Sequence, residues 1–208
     1  MAEAHNPGED KAWDILNSLQ PSTVCRAAGV DYVPARDAYV LKSFGMDFIV
    51  SGKDRTITSS AKSSAMLFQR LSYFFRLSVL WYLASVKDIA CSGRLVKLDQ
   101  VRGGDAFTRG SHVLPLESLA DRYGKNKQGF IIRGEQLGAR QVTGAGDISL
   151  QLWPLPRFPV VISLWLEDEE FPARADLFLD STCDIQLPTD IIWSVAMMTL
   201  LMMLYQPA

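Results

Sequence analysis

The chain has 208 residues, 48% hydrophobic and 21% charged, with a formal net charge of −2 and a pI near 5.7. That length supports one generous domain with a real core, or two small ones, in an ordinary globular composition. The slightly acidic balance and the lack of a basic block argue against a general nucleic-acid binder.

Taken in chain order, residues 1–10 read as a flexible tail, without the basic stretch and apolar run of an export signal. "GEDKAWDILNSLQP" then places Trp13, Leu16 and Leu19 on one helical face and stops at Pro21. "PSTVCRAAGVDYVP" predicts a short helix capped by Ser22 or Thr23 and stopped by Gly29. Its piece "TVCRAAGV" is similar to a helix-turn-helix fragment, but no basic recognition helix follows. A β-meander is next: Tyr39 to Ser43, Met46 to Ser51 and Arg55 to Thr58, with Gly45 in the first tight turn. Ser63 or Ser64 caps a long, broadly apolar helix that runs to about Asp88.

Beyond Cys91 the pattern loosens. "GRLVKLDQV" reads as a strand, "PLESLADRYG" as a short helix ended by Gly124, and "GFIIRGEQLGARQVTGAGD" as glycine-punctuated loop around one short strand. "ISLQLWPLPRFPVVISLWLED" predicts strand, proline break, strand. Pro154, Pro156 and Pro159 cannot donate ladder hydrogen bonds, so that link belongs at an edge or a bend. "ARADLFLD" is the return strand, and "LPTDIIWSVAMMTLLMMLY" a last helix capped by Thr189. The expectation is one α+β domain over residues 1–208: N-terminal helices and a β-meander, a long central helix, then a C-terminal hairpin and an apolar helix.

Two apolar stretches bear on membranes. "SSAMLFQRLSYFFRLSVLWYLASV" carries Gln69, Arg70 and Arg76 near its middle, costly in hydrocarbon. "IIWSVAMMTLLMMLY" is shorter than the roughly 20 residues a span needs. Both read as buried core helices. Cys25, Cys91 and Cys183 are odd in number and far apart, which is neither a disulfide framework nor a zinc motif. A reducing, cytoplasmic setting is expected. A cubane cluster needs four thiolates as a rule, so no iron–sulfur cluster is expected within one chain.

The candidate sites are few. The acids Asp168, Glu169 and Glu170 stand together between two apolar runs. In extended chain Asp168 and Glu170 share one face. They suit a solvated hairpin turn, a salt-bridge cluster with Arg157 or Arg174, or a ligand or cation site that Asp180 joins. The first two readings predict a hairpin turn whose acids are held mainly by arginines, with Trp165 and Phe171 packed beneath. "RGGDAFTRGSH" pairs glycines with Arg102, Arg109 and His112, a weak anion-binding signal without the Walker lysine. "TGAGD" lacks the strand and helix around a dinucleotide fingerprint. His5 falls in the tail, which leaves His112 as thin material for acid–base chemistry. Met197, Met198, Met202 and Met203 suit either a buried helix or an adaptable groove or dimer seam.

Three strings carry a family likeness: "WYLASV", then "GRLVKLDQVRGGDAF", then "LPRFPVVISLWLEDEEFPARADLFLDSTCDIQLPTDII". Together they resemble an uncharacterised domain family of anaerobic bacteria and archaea, from about residue 23 to 205. The motif positions are Trp165, Asp168, Glu169, Glu170, Phe171, Pro172, Phe178, Asp180, Leu187 and Pro188, with Gly103 and Gly104 as the paired glycines. "DEEFPA" is the most specific part. The chain departs from the pattern where "RLV" lacks a tryptophan, "DLFLD" has an extra residue and "PTDI" lacks a glutamate. Relatives are often labelled iron–sulfur proteins because some are fused to a cysteine-rich segment, which this chain lacks. The resemblance implies a fold and a setting in anaerobic metabolism, and no reaction.

These observations point to a non-catalytic accessory module that binds a protein partner or ligand, without a membrane span and without nucleic acid. The alternatives are a divalent-cation-dependent enzyme using Asp168, Glu170 and Asp180, and an assembly protein, such as a homodimer, using the Met-rich C-terminal helix.

Overall fold

A computed structural model describes residues 7–107 and 112–205. Two helices open it, α1 (Pro7–Ser18) and α2 (Pro21–Ala28). Helix thus begins inside the stretch expected to be tail, and α1 buries Trp13 and Leu16. Neither Ser22 nor Thr23 caps α2: Gln20 takes the cap position and Pro21 starts the helix, where its missing N–H costs nothing. Gly29 ends α2 at φ 63°, as its sequence position predicts.

The meander is four-stranded, in the order β1 (Asp31–Val33), β2 (Ala38–Ser43), β3 (Met46–Ser51), β4 (Thr56–Thr58). Only β1 escaped the sequence reading, because three residues carry no usable period. Ser43 pairs with Met46 across a two-residue turn. Phe44 and Gly45 both have positive φ there (47° and 75°), the primed turn that matches strand twist.

The long helix expected from Ser63 to Asp88 is instead broken into α3 (Ala65–Gln69) and α4 (Ser72–Ser85). At the break, both Arg70 and Leu71 donate backbone N–H bonds to the Met66 carbonyl. The offset sinks Leu71 to 2% exposure. It also lets Phe68 meet Phe48 (5.8 Å between centroids) and Phe75 (5.7 Å) edge-on. Packing overrides helical continuity. The charge at Arg76 is neutralised by Glu9 of α1 at 2.9 Å.

A second sheet has the order β5 (Leu95–Lys97), β9 (Arg174–Asp180), β8 (Phe158–Trp165), β7 (Ile148–Leu155), β6 (Arg140–Gln141), all antiparallel. The strand expected over "GRLVKLDQV" is only three residues long, and a 3₁₀ turn follows at Leu98–Gln100. The prolines sit at the bulged end of the β7–β8 hairpin, where the register shifts between Leu152 and Leu155. Ser43 Oγ donates to the Pro154 carbonyl (2.7 Å) and the Phe44 amide to that of Trp153 (2.9 Å), joining the sheets.

Helices α5 (Leu116–Tyr123), α6 (Lys127–Gln136), α7 (Cys183–Gln186) and α8 (Thr189–Leu204) complete the fold. The segment that α6 occupies was expected to be loop. Gly129 and Gly134 weaken its helical signal, but Asn126 accepts the Gly129 amide as an N-cap (2.8 Å), and Phe130 is fully buried. A Cβ on Gly134 would lie 2.5 Å from the end of the Leu150 side chain, so the glycine lets α6 pack closely on β7. Thr189 does not cap α8. Pro188 holds the cap position, and the Thr189 hydroxyl donates to the Arg102 carbonyl (3.0 Å). Helix α8 is buried at Ile192, Val195, Ala196, Met198, Met202 and Met203. One apolar cluster contains residues of both sheets and of α1, α4, α5 and α8. Among the described residues no helix is long and apolar enough to cross a membrane.

Candidate functional site

The acidic turn joins β8 to β9 and is organised by its own backbone. Asp168 Oδ1 accepts the amides of Glu170 (2.9 Å) and Phe171 (2.7 Å), while the Asp168 amide donates to the Phe171 carbonyl (3.1 Å). This is an Asx turn, which needs a short acceptor side chain at its first position. The arginines expected to hold the acids are engaged elsewhere. Arg174 stacks on Trp165 (3.9 Å to the ring centroid) and pairs with Asp176 at 3.8 Å, and Arg157 pairs with Asp88 at 2.7 Å. Phe171 is 65% exposed rather than packed beneath the turn. In this segment it is Glu167 that forms an ion pair, with Lys125 at 3.0 Å.

Asp180 lies at the other end of β9, roughly 20 Å of extended chain away, so it does not join Asp168 and Glu170. It is 5% exposed. Its Oδ1 accepts from the Ser92 amide (3.0 Å) and hydroxyl (3.1 Å) and from the Thr182 amide (3.0 Å) and hydroxyl (2.7 Å), and its Oδ2 from the Gly93 amide (2.7 Å). Burial pushes the carboxyl up, but the Thr182 hydroxyl and the three amides outweigh it and hold it below its ordinary value. The carboxylate ties residues 92–93 to the start of α7. Among the described residues, no group of three His, Cys, Asp or Glu side chains is placed to hold a metal ion.

The paired glycines also have a structural use. Gly103 has φ 76°. A Cβ on Gly104 would sit 1.8 Å from the Leu98 carbonyl oxygen, and the Gly104 amide already donates to the Val101 carbonyl (2.8 Å). Its N–H therefore turns inward, not toward an anion. The Arg102 side chain is exposed, and Arg109 lies outside the described residues.

His112, by contrast, belongs to a surface feature that sequence reasoning did not assemble. Its carbonyl accepts the Trp193 indole N–H (2.7 Å), and its ring meets Trp193 edge-on at 5.2 Å. Trp193 meets Phe74 at 5.7 Å, and Phe74 meets Tyr73 at 5.7 Å. Four rings from α4, α8 and the preceding loop thus form a ladder, with Tyr73 59% and the adjacent Val113 52% exposed. Met197 and Leu201, half-buried, extend it along α8 one and two turns from Trp193. Of the four C-terminal methionines only Met197 reaches this stripe. Met198, Met202 and Met203 are core, so the helix is not a Met-lined groove. The signal available in the sequence was the 193–197–201 spacing, which the all-round apolarity of the helix concealed.

The C-terminus of α8 is closed by a residue that the sequence reading placed in a loop. Arg133 of α6 is 5% exposed. It donates to the Met202 carbonyl from Nε (2.9 Å) and Nη2 and to Gln136 Oε1 (3.2 Å), while Tyr123 Oη donates to the Met203 carbonyl (2.7 Å). The cysteines lie on α2 (Cys25), in the segment before β5 (Cys91) and at the start of α7 (Cys183). Burial pushes the Cys183 thiol up to about 12, which removes its thiolate at neutral pH.

Fold and surface together define an α+β domain whose two antiparallel sheets share one apolar cluster with the helices, with an aromatic ladder on one side. The chain belongs to the family described as Domain of unknown function (DUF3786), whose model matches residues 20–202. That match bears out the expectation of an uncharacterised domain family spanning nearly the whole sequence. No curated protein and no solved structure matches the chain.

Proposed function

We propose that the protein is a non-catalytic binding module that docks a protein partner on the face built by α4 and α8. One observation carries this reading: the four-ring ladder of Tyr73, Phe74, Trp193 and His112 continues into Met197 and Leu201 on the surface. Clustered aromatics with an adaptable methionine are the composition of interface cores. Of the carboxylates that an enzymatic reading would use, Asp168 is committed to an Asx turn and Asp180 to its cradle of amides and hydroxyls. A cytoplasmic setting in anaerobic metabolism belongs to the same proposal and rests on the family resemblance.

The partner to test first is a second copy of the chain. Sedimentation of the wild type should give a dimer that Tyr73→Ser combined with Met197→Ser converts to monomer, with thermal unfolding little changed. A wild type that stays monomeric at every concentration, or a dimer indifferent to the double substitution, counts against this face as a self-docking surface.

A further inference from the structure

The second sheet has another face, turned away from the core, and its register aligns five side chains across all five strands. Lys97 pairs with Phe178, Phe178 with Val161, Val161 with Gln151, and Gln151 with Arg140. Directly paired residues share a face, so one row about 19 Å wide runs from cation to cation over an aromatic, an aliphatic and an amide. The neighbouring residues Leu177, Leu179, Val160, Ile162, Leu150 and Leu152 belong to the core cluster, whereas Phe178 and Trp153 do not and are half-buried; Val161, between them, is itself covered at 2% exposure. Each of the three rings on this face has a cation against it: Lys97 on Phe178 (5.7 Å), Arg140 on Trp153 (5.3 Å) and Arg174 on Trp165 (3.9 Å). The acids of this face are Asp176, shared by Lys97 (3.0 Å) and Arg174 (3.8 Å), and the buried Asp180 at the end of β9, so the cations Lys97, Arg140 and Arg174 exceed the acids by one. The surface is therefore locally positive on a chain of net charge −2.

Flat antiparallel strands that carry half-exposed rings, with basic side chains beside them, suit unstacked bases joined by phosphates. We propose that this face binds single-stranded nucleic acid, with bases stacked on Phe178 and Trp153 and phosphates held by Lys97 and Arg140. The acidic turn, beyond Trp165 and Arg174, repels phosphate and confines the strand to the crosswise row. Beside Trp153 the surface falls into a cleft of about 520 Å³, lined by Lys42, Asp31 and Asp47 among others, with room for a further base. With so few cations the binding is led by stacking, which separates it from the general polyanion binding that the composition argues against. The proposal does not depend on the α4–α8 face.

The test is fluorescence anisotropy of labelled oligouridylate and oligothymidylate of about 12 nucleotides, titrated with the full chain at low salt beside a duplex of equal length. Saturable binding of at least one single strand is expected, with the duplex much weaker. Phe178→Leu, and Lys97→Gln combined with Arg140→Gln, should each weaken it about tenfold, while Tyr73→Ser, outside the row, leaves it unchanged. Circular dichroism of each variant checks that the fold is kept, and Phe178→Tyr, which retains a stacking ring, should bind like wild type. No saturable binding of either strand, equal binding of the duplex, or binding indifferent to the folded Lys97 and Arg140 variant would overturn the proposal.

Discussion

Asp168 and Glu169 are neighbours of the same charge with different work. Asp168 supplies the acceptor for two amides of the turn, while Glu169 is exposed. Asp168→Ala should therefore cost about 1 kcal/mol, and Glu169→Gln should stay within about 0.5 kcal/mol, both read from urea midpoints. Equal effects would mean that turn geometry does not separate them. Asp180 differs from both because its acceptors are satisfied inside the fold. Its carboxyl is held below the ordinary value, so it stabilises the protein above the unfolded-state pKa of about 3.9 and loses that contribution as pH falls through the folded value. The melting temperature of the wild type should drop on acidification below about pH 5 more steeply than that of Asp180→Asn. Parallel curves would show that Asp180 contributes no pH dependence.

Helix α8 illustrates why an element's character depends on what closes it. Its last carbonyls have no partner within the helix, and they face Arg133 and Tyr123 rather than water. The guanidinium reaches the Met202 carbonyl with two nitrogens, a fork that lysine cannot reproduce. Arg133→Met should destabilise the protein by about 2 kcal/mol at an unchanged denaturant slope, and Arg133→Lys should recover only part of it. A fully stable Arg133→Met would mean that water or fraying satisfies those carbonyls at little cost. The broken α3–α4 pair makes the complementary point. The apolar pattern from Ser63 onward is continuous, but Phe48 on β3 needs Phe68 and Phe75 on different axes.

Across the whole molecule, the two sheets share one apolar cluster and are joined by Ser43–Pro154 and Phe44–Trp153 hydrogen bonds. Such sharing predicts one cooperative unit. Calorimetry should show a single transition whose measured and van't Hoff enthalpies agree, and limited proteolysis should not release two stable halves of similar size. Two separated transitions would show that the meander and the second sheet fold as independent units.

What could be read from the sequence alone was local. The paired β2 and β3 strands around Gly45, the return strand into Asp180 and the apolar helix after Pro188 rest on periods of two or on turn residues, which act within a few positions. The acidic turn was also legible as a turn, because Asp168 bonds to residues two and three positions on. Tertiary structure decided the rest. Helix α6 forms despite two glycines because Leu150 packs against Gly134 and Asn126 caps its start. The cradle of Asp180 joins residues about 88 positions apart, the His112–Trp193 contact spans 81, and the Lys97-to-Arg140 row exists only once five strands are in register. No window of neighbouring residues contains these pairings, because they depend on which faces the closed core leaves outside.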